Sequence, residues 1–360
     1  MIPLSRPSIR RRDMDAVLSC MVTDSLGPGS LCDELAGAVS EYLGLAGGIA
    51  LRERSRALGM ALDELSLRSG DGVVLDPLLP RSYHDVLCSR GLVPVYADVL
   101  DSSICIDPDA AERAVRSAAD RGVSVAAMIT HATLGFVPDM VALAALGVPI
   151  IEDLSEGIGA NTGEERLGRF GRFVIVAMEP DGIITAGGGS LLLASGRNDR
   201  AAIRRACGLV PADALLPDMN AALGLIQIKE IEKYVARRSE IASVYTRALM
   251  RGRHQTPVQP GVAQNVYLTF PVLVQGSAGE VTAYARKKGV DAGLAFSGTV
   301  IDRQATSDEA TDDAVPAPPG SASDYPVSRG LLLRCLRFPL YPSLTAKEIA
   351  TIERVLTTLP

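Results

Sequence analysis

Between about residues 70 and 195 the chain alternates short apolar runs with amphipathic stretches. GVVLDP, LVPVYADV, SVAAMIT, VPIIED, FVIVAM and GSLLLAS are separated by segments such as DPDAAERAVRSAADRG and PDMVALAALG. Runs this short and this rich in Val and Ile predict strands buried on both faces, and the segments between them predict crossover helices. The stretch therefore reads as an α/β sheet, largely parallel. Upstream, GSLCDELAGAVSEYLG and RSRALGMALDELSLRSG carry helical spacing, each with a glycine placed to close it. From Pro217 to Met250 the helical pattern runs on without a break, which predicts one long connector into a second unit. Beyond it, NVYLTFPVLV predicts a strand and AGEVTAYARKKG a helix, and SLTAKEIATIERVLTTL predicts a last helix, together an α+β tail. The expected division is a large domain over 1–235 and a small C-terminal domain over 236–360. Residues 302–326, DRQATSDEATDDAVPAPPGSASDYP, are acidic and rich in Pro, Gly and Ser, and are expected to be a solvated insertion rather than a lid.

Composition narrows the partners. With 36 Lys+Arg against 42 Asp+Glu the net charge is −6, which disfavours nucleic acid and anionic membranes. The basic start MIPLSRPSIRRRDMD leads into no apolar leader segment and no run is long enough to span a bilayer, so a cytoplasmic setting is expected. The six cysteines lack metal-ligand spacing and read as buried thiols, with no metal site expected. More telling is the split of the basic residues. Only five are lysines (Lys229, Lys233, Lys287, Lys288 and Lys347), so everything before Lys229 is lysine-free.

Several segments, in order and over nearly the whole chain, resemble the DegT/StrS-type pyridoxal-phosphate-dependent nucleotide-sugar aminotransferases. They are IPLSRPSI, LGPGSLCDELAGAVSEYLG, GDGVVLDP with RGLVPVYADVLDSSICIDPDAAERAV, PDMVALAALGVPIIEDLSEGIGA, RLGRFGRF, GGGS, DMNAALGLIQIKEIEKYVARRSEIASVY and RFPLYPSLTAKEI. The resemblance implies an aspartate-aminotransferase-like (fold type I) large domain with a mostly parallel seven-stranded sheet and a small α+β C-terminal domain. It also implies a homodimer with active sites at the subunit boundary. In such proteins a lysine carries the cofactor as an imine, so that the pyridine ring can act as an electron sink.

Matched on the turn Thr185 to Ser190, that lysine position falls on Asp181, at about the family's spacing from Asp153. An aspartate forms no imine. Related sugar dehydratases place a histidine there, but His84, His131 and His254 all lie elsewhere. Lys229 and Lys233 have the spacing of a solvated helix face. The other implied contacts are altered too. A Ser-Gly-Thr phosphate turn at a helix N-terminus reads Glu53-Arg54-Ser55 here, the ring-stacking aromatic falls on Pro80, and a phosphate-bonding strand serine falls on Val176. The segment CGLVPADALLP lacks the asparagine and arginine that cross from the partner subunit.

Two implied contacts remain: Asp153, which in the family pairs with the protonated pyridine nitrogen, and Glu156, where a glutamine usually faces the ring hydroxyl. Asp153 has an alternative use, satisfying nearby backbone groups. If Asp153 and Asp181 share a cavity they repel unless a cation stands between them, and Arg54 is the expected cation, closing the former cofactor site with an Arg–Asp network. His131, in MITHATLGFVPDM, reads as a satisfied loop histidine near that face, and the glycine run 187–189 as a tight turn.

These readings favour a relative that has lost transamination, expects no cofactor, and binds a nucleotide sugar or a partner enzyme of surface-carbohydrate biosynthesis. Two alternatives stay open: an active pyridoxal-phosphate enzyme with unconventional anchoring, and a lysine-free sugar-modifying enzyme using Asp181 or Glu156 as general base.

Overall fold

A computed structural model describes residues 1–163, 165–302 and 325–360. Most of the expected insertion therefore lies outside the described residues. Seven strands form one sheet: β1 (Gly47–Leu51), β2 (Gly72–Leu75), β3 (Val93–Tyr96), β4 (Val125–His131), β5 (Ile150–Asp153), β6 (Phe173–Ala177) and β7 (Ser190–Ala194). Their order is β1-β7-β6-β5-β4-β2-β3. The block from β6 to β3 is parallel, and β7 runs antiparallel to both β6 and β1.

Strand side chains alternate between two cores. Val174 and Val176 of β6 enter one, Phe173 and Ile175 the other; Val74 of β2 enters the first, Val73 and Leu75 the second. The first core is completed by α2 (Ser30–Leu43), α5 (Pro108–Asp120), α6 (Met140–Ala145) and α8 (Asp218–Lys229), the second by α3 (Arg54–Glu64), α4 (Arg81–Ser89) and α7 (Arg197–Cys207). Helix α1 (Arg11–Val22) lies along α8. With both faces covered, the strands read as unbroken apolar runs, which is why six of the seven were visible in the pattern.

The glycine run Gly187–Gly189 has three successive positive φ angles, and a Cβ on Gly189 would meet the Leu216 side chain at 2.3 Å. It folds β6 back into β7, with the Gly188 N–H bonding the Met178 carbonyl at 3.0 Å.

The long connector is two helices, because the chain breaks at Glu230 between α8 and α9 (Ile231–Leu249). Likewise α3 stops at Leu65, several residues before the glycine expected to close it, whereas α2 does end on left-handed Gly44. A second, antiparallel sheet takes the order β8 (Phe270–Leu273), β10 (Cys335–Phe338), β9 (Gly293–Leu294). It packs with α9, α10 (Ala278–Lys287) and α12 (Ala346–Thr357) into a core of its own, and α11 (Pro326–Arg334) leads into β10. Among the described residues no helix is long and apolar enough to cross a membrane.

Candidate functional site

Parallel sheets place ligand-facing groups at the carboxyl ends of their strands. Three neighbouring strands, β5, β4 and β2, end here in polar residues: Asp153 closes β5, His131 closes β4, and Asp76 follows β2. His131 and Asp153 are register partners. All three are almost completely buried.

Asp153 is saturated with donors. Its Oδ1 accepts the Ser155 N–H at 2.8 Å and the Ser155 hydroxyl, while its Oδ2 accepts the Tyr83 hydroxyl at 2.5 Å and lies 3.7 Å from Arg54 Nη1. Burial pushes this carboxyl toward neutrality, but Arg54, His131 and the hydroxyl donors outweigh it and hold its pKa below the usual carboxylate range. Tyr83 comes from the first turn of α4, just past Pro80, and its ring lies 5.8 Å from the Arg54 guanidinium carbon. Arg54 begins α3, so its backbone is fixed by the helix and its side chain, about a fifth exposed, points back to the strand ends.

Glu156 forms the second half of the cluster. Its Oε2 lies 3.4 Å from His131 Nε2 and accepts the N–H of Leu134 at 2.6 Å, where Leu134 holds a left-handed φ of 51°. Burial alone would strip the proton from His131. Glu156 reverses that and raises its pKa to about 9, so the pair is ionic at neutral pH. Glu156 is correspondingly held ionised, burial being outweighed by His131. Asp76 is the uncompensated member. Burial raises its pKa to about 6, its Oδ1 accepts the Leu78 N–H at 2.9 Å, and its Oδ2 has no hydrogen-bond partner.

The other candidates are scattered. Asp181 is exposed on the connection between β6 and β7 and makes no ion pair among the described residues. The expected Arg54 bridge between Asp153 and Asp181 is therefore corrected: Arg54 faces Asp153 alone, and Asp181 stands exposed outside ion-pair reach of it. Glu53 is the exposed N-cap of α3 and takes a hydrogen bond from the Ser55 hydroxyl at 3.3 Å. Pro80 is the N-cap of α4, and Val176 is fully buried inside the first core. All five lysines are exposed, and Lys233 is paired with Glu230 at 3.2 Å. His131 belongs to the cluster rather than to a loop. Nothing in the sequence singles out Asp76 or Tyr83, although Asp76, like His131, stands at a strand end where the parallel pattern points.

Compared with known proteins, the chain matches the model of the DegT/DnrJ/EryC1/StrS aminotransferase family over residues 7–357. A curated relative from Bacillus subtilis (strain 168), EpsN, provisionally described as a pyridoxal phosphate-dependent aminotransferase, is 27% identical over 297 residues, 76% of each chain. Among solved structures, the PLP-form of Spr1654 from Streptococcus pneumoniae, provisionally described as a sugar aminotransferase, superposes with a TM-score of 0.86 at 16% identity, covering 99% of this chain and 97% of that one. A GDP-4-keto-6-deoxymannose-3-dehydratase with bound GDP-perosamine gives 0.83 at 14% identity, covering 99% and 100%.

Pyridoxal phosphate is thus the cofactor to expect, and the sequence expectation of none is corrected on the family match and the EpsN relative. The residues here match that group at one point: a buried carboxylate kept ionised at a strand end suits a protonated ring nitrogen. They do not fit the way a lysine-bound cofactor is held. Tyr83 and Arg54 already occupy Asp153 Oδ2, and no lysine lies in the cluster or anywhere in the chain before Lys229.

Proposed function

The chain belongs to the DegT/DnrJ/EryC1/StrS aminotransferase family, and within it we propose that it is a nucleotide-sugar-binding member that has given up amino-group transfer through a lysine-bound cofactor. The observation that carries this reading is the distribution of its amines: five lysines, all on the surface and none before Lys229. When bound, pyridoxal phosphate supplies an electron sink to this family's chemistry. In this chain its retention would rest on non-covalent contacts alone.

The strand-end cluster supports the same reading. Arg54 and His131 neutralise Asp153 and Glu156 inside the protein, so the carboxylates are committed to internal partners. Glu156 is tied to His131 and the Leu134 N–H, and Asp181 is exposed, so neither is set as a general base toward a sugar. The fold's sugar-enzyme neighbours favour a setting in carbohydrate biosynthesis, as a homodimer or beside a partner enzyme.

Calorimetric titration of the full chain with UDP-, GDP- and dTDP-sugars tests binding. An amino-transfer assay with glutamate, a 4-keto nucleotide sugar and added pyridoxal phosphate tests the loss. Saturable binding of a nucleotide sugar with no transfer is expected; transfer at enzymic rates would favour an active enzyme with unconventional anchoring. Asp181→Lys is expected to leave transfer absent, because Tyr83 and Arg54 still cover Asp153.

A further inference from the structure

Fourteen large apolar side chains are exposed among the described residues, and six of them crowd into one stretch: Ile9, Met14, Leu18, Met21, Val22 and Leu26. No other helix or strand carries more than one. Four of the six belong to α1, where Met14, Leu18 and Met21 follow in steps of four and three with Val22 beside them, the spacing of a helix-packing seam. Each of these four is more than half exposed.

The opposite face of α1 explains why the stripe points outward. Asp13 Oδ1 accepts from Gln227 Nε2 at 2.8 Å, the buried Cys20 thiol points to the Asp218 carbonyl at 3.9 Å, and Arg12 pairs with Glu230 at 2.7 Å. These contacts fix the helix along α8 at both of its ends, so it cannot roll to cover the stripe with its own chain. A rigid, charge-rimmed apolar patch of this kind marks the core of an interface.

The charges say what covers it. Arg11 opens the helix and Asp24 follows its end; both are exposed, and neither makes an ion pair among the described residues. The last turn also lacks a basic residue to meet the carbonyl end of the helix. Asp15, exposed and likewise without an ion pair, borders the stripe one turn on from Arg11. Two α1 helices laid antiparallel bring each Arg11 to the other's Asp24 and carbonyl end, whereas a parallel pair sets like charges together. The face is therefore complementary to itself, which is what a two-fold contact requires.

We propose that the α1 stripe is a self-association surface, on which α1 of a second copy of this chain docks antiparallel. Leu18 and Met21 lie at its centre, and Arg11 meets the partner's Asp24 at its rim. The proposal rests on the homodimer reading and goes beyond it by naming the face, the orientation and the charges that set it.

The test is analytical ultracentrifugation of the full chain over a concentration series, with thermal unfolding of each variant to check its fold. The wild type is expected to dimerise, and Leu18→Asp, which puts two carboxylates at the centre, to raise the dimer Kd about a hundredfold. Arg11→Asp and Asp24→Arg are each expected to raise it about fivefold and, combined, to restore it. Leu333→Asp, at an isolated exposed leucine of α11, is expected to change nothing. A wild type that stays monomeric would overturn both the face and the homodimer reading. A dimer that Leu18→Asp leaves intact would overturn the face and spare the homodimer. Should Leu18→Asp unfold, the charge exchange decides: failure of the combined variant to regain the wild-type Kd would overturn the antiparallel contact. Flotation of a monomeric wild type with phosphatidylglycerol vesicles, abolished by Leu18→Asp, would assign the stripe to a membrane surface instead.

Discussion

The two charged regions solve opposite problems. At the strand ends Asp153 and Glu156 are answered from within, by Arg54, Tyr83, Ser155 and His131. Between α9 and the small sheet the buried Arg238 is answered instead by backbone dipoles, its Nη1 donating to the carbonyls of Tyr267, Leu268 and Leu340. Buried carboxylates are thus held by opposite charge and hydroxyl donors, and a buried cation by carbonyl oxygens.

Asp153→Ala should disrupt the first region most severely. It strands Arg54 and the Tyr83 and Ser155 hydroxyls together, and about 3–5 kcal/mol should disappear from the urea unfolding free energy. Asp153→Asn, which keeps acceptors, should cost less than half as much. Equal costs would mean that the charge is irrelevant.

His131→Gln probes the same region through pH. The folded pKa is raised from about 6.5 to about 9, so the stability His131 confers is fully present below about 6.5 and lost as pH rises through about 9. The wild type should exceed the variant by about 2–3 kcal/mol at pH 6, with the gap closed near pH 10. A gap independent of pH would rule out the ion pair with Glu156.

Asp76→Asn should run the other way. Its carboxyl pKa is raised to about 6, so the folded state carries the cost of ionising it above that pH, and the cost vanishes below about 4, where folded and unfolded chains are both protonated. A gain of about 1–2 kcal/mol at pH 7.5, absent at pH 4, is expected in thermal or urea unfolding. The smallest effect belongs to a site outside both regions. Thr345→Ala opens the capping box of α12 and should cost about 1 kcal/mol while leaving ligand titrations unchanged.

Much of the scaffold was legible because burial on two faces writes itself as apolar runs, and the helices beside the seven-stranded sheet follow the 3.6 period between them. β1 escaped because GGIAL begins with two glycines and carries only three apolar residues. The break at Glu230 escaped because helical spacing continues through it. At the site, the strand-end acids Asp153 and Glu156 stood out in the sequence, but their partners did not. Tyr83 lies one helical turn past Pro80, where the aromatic was sought, and reaches Asp153 across 70 positions of chain. Asp181 and Asp153 are separated by little more than one strand and its flanking turns, yet one is exposed and the other buried. Linear spacing carries no such information.

Whether any amine of this chain captures the cofactor is decided by borohydride reduction of the protein after incubation with pyridoxal phosphate, followed by peptide mass spectrometry and visible absorbance. No stoichiometric pyridoxyl adduct and no visible band from an imine are expected. A single stoichiometric adduct on Lys229 or Lys233, accompanied by such a band, would contradict the loss of covalent cofactor capture.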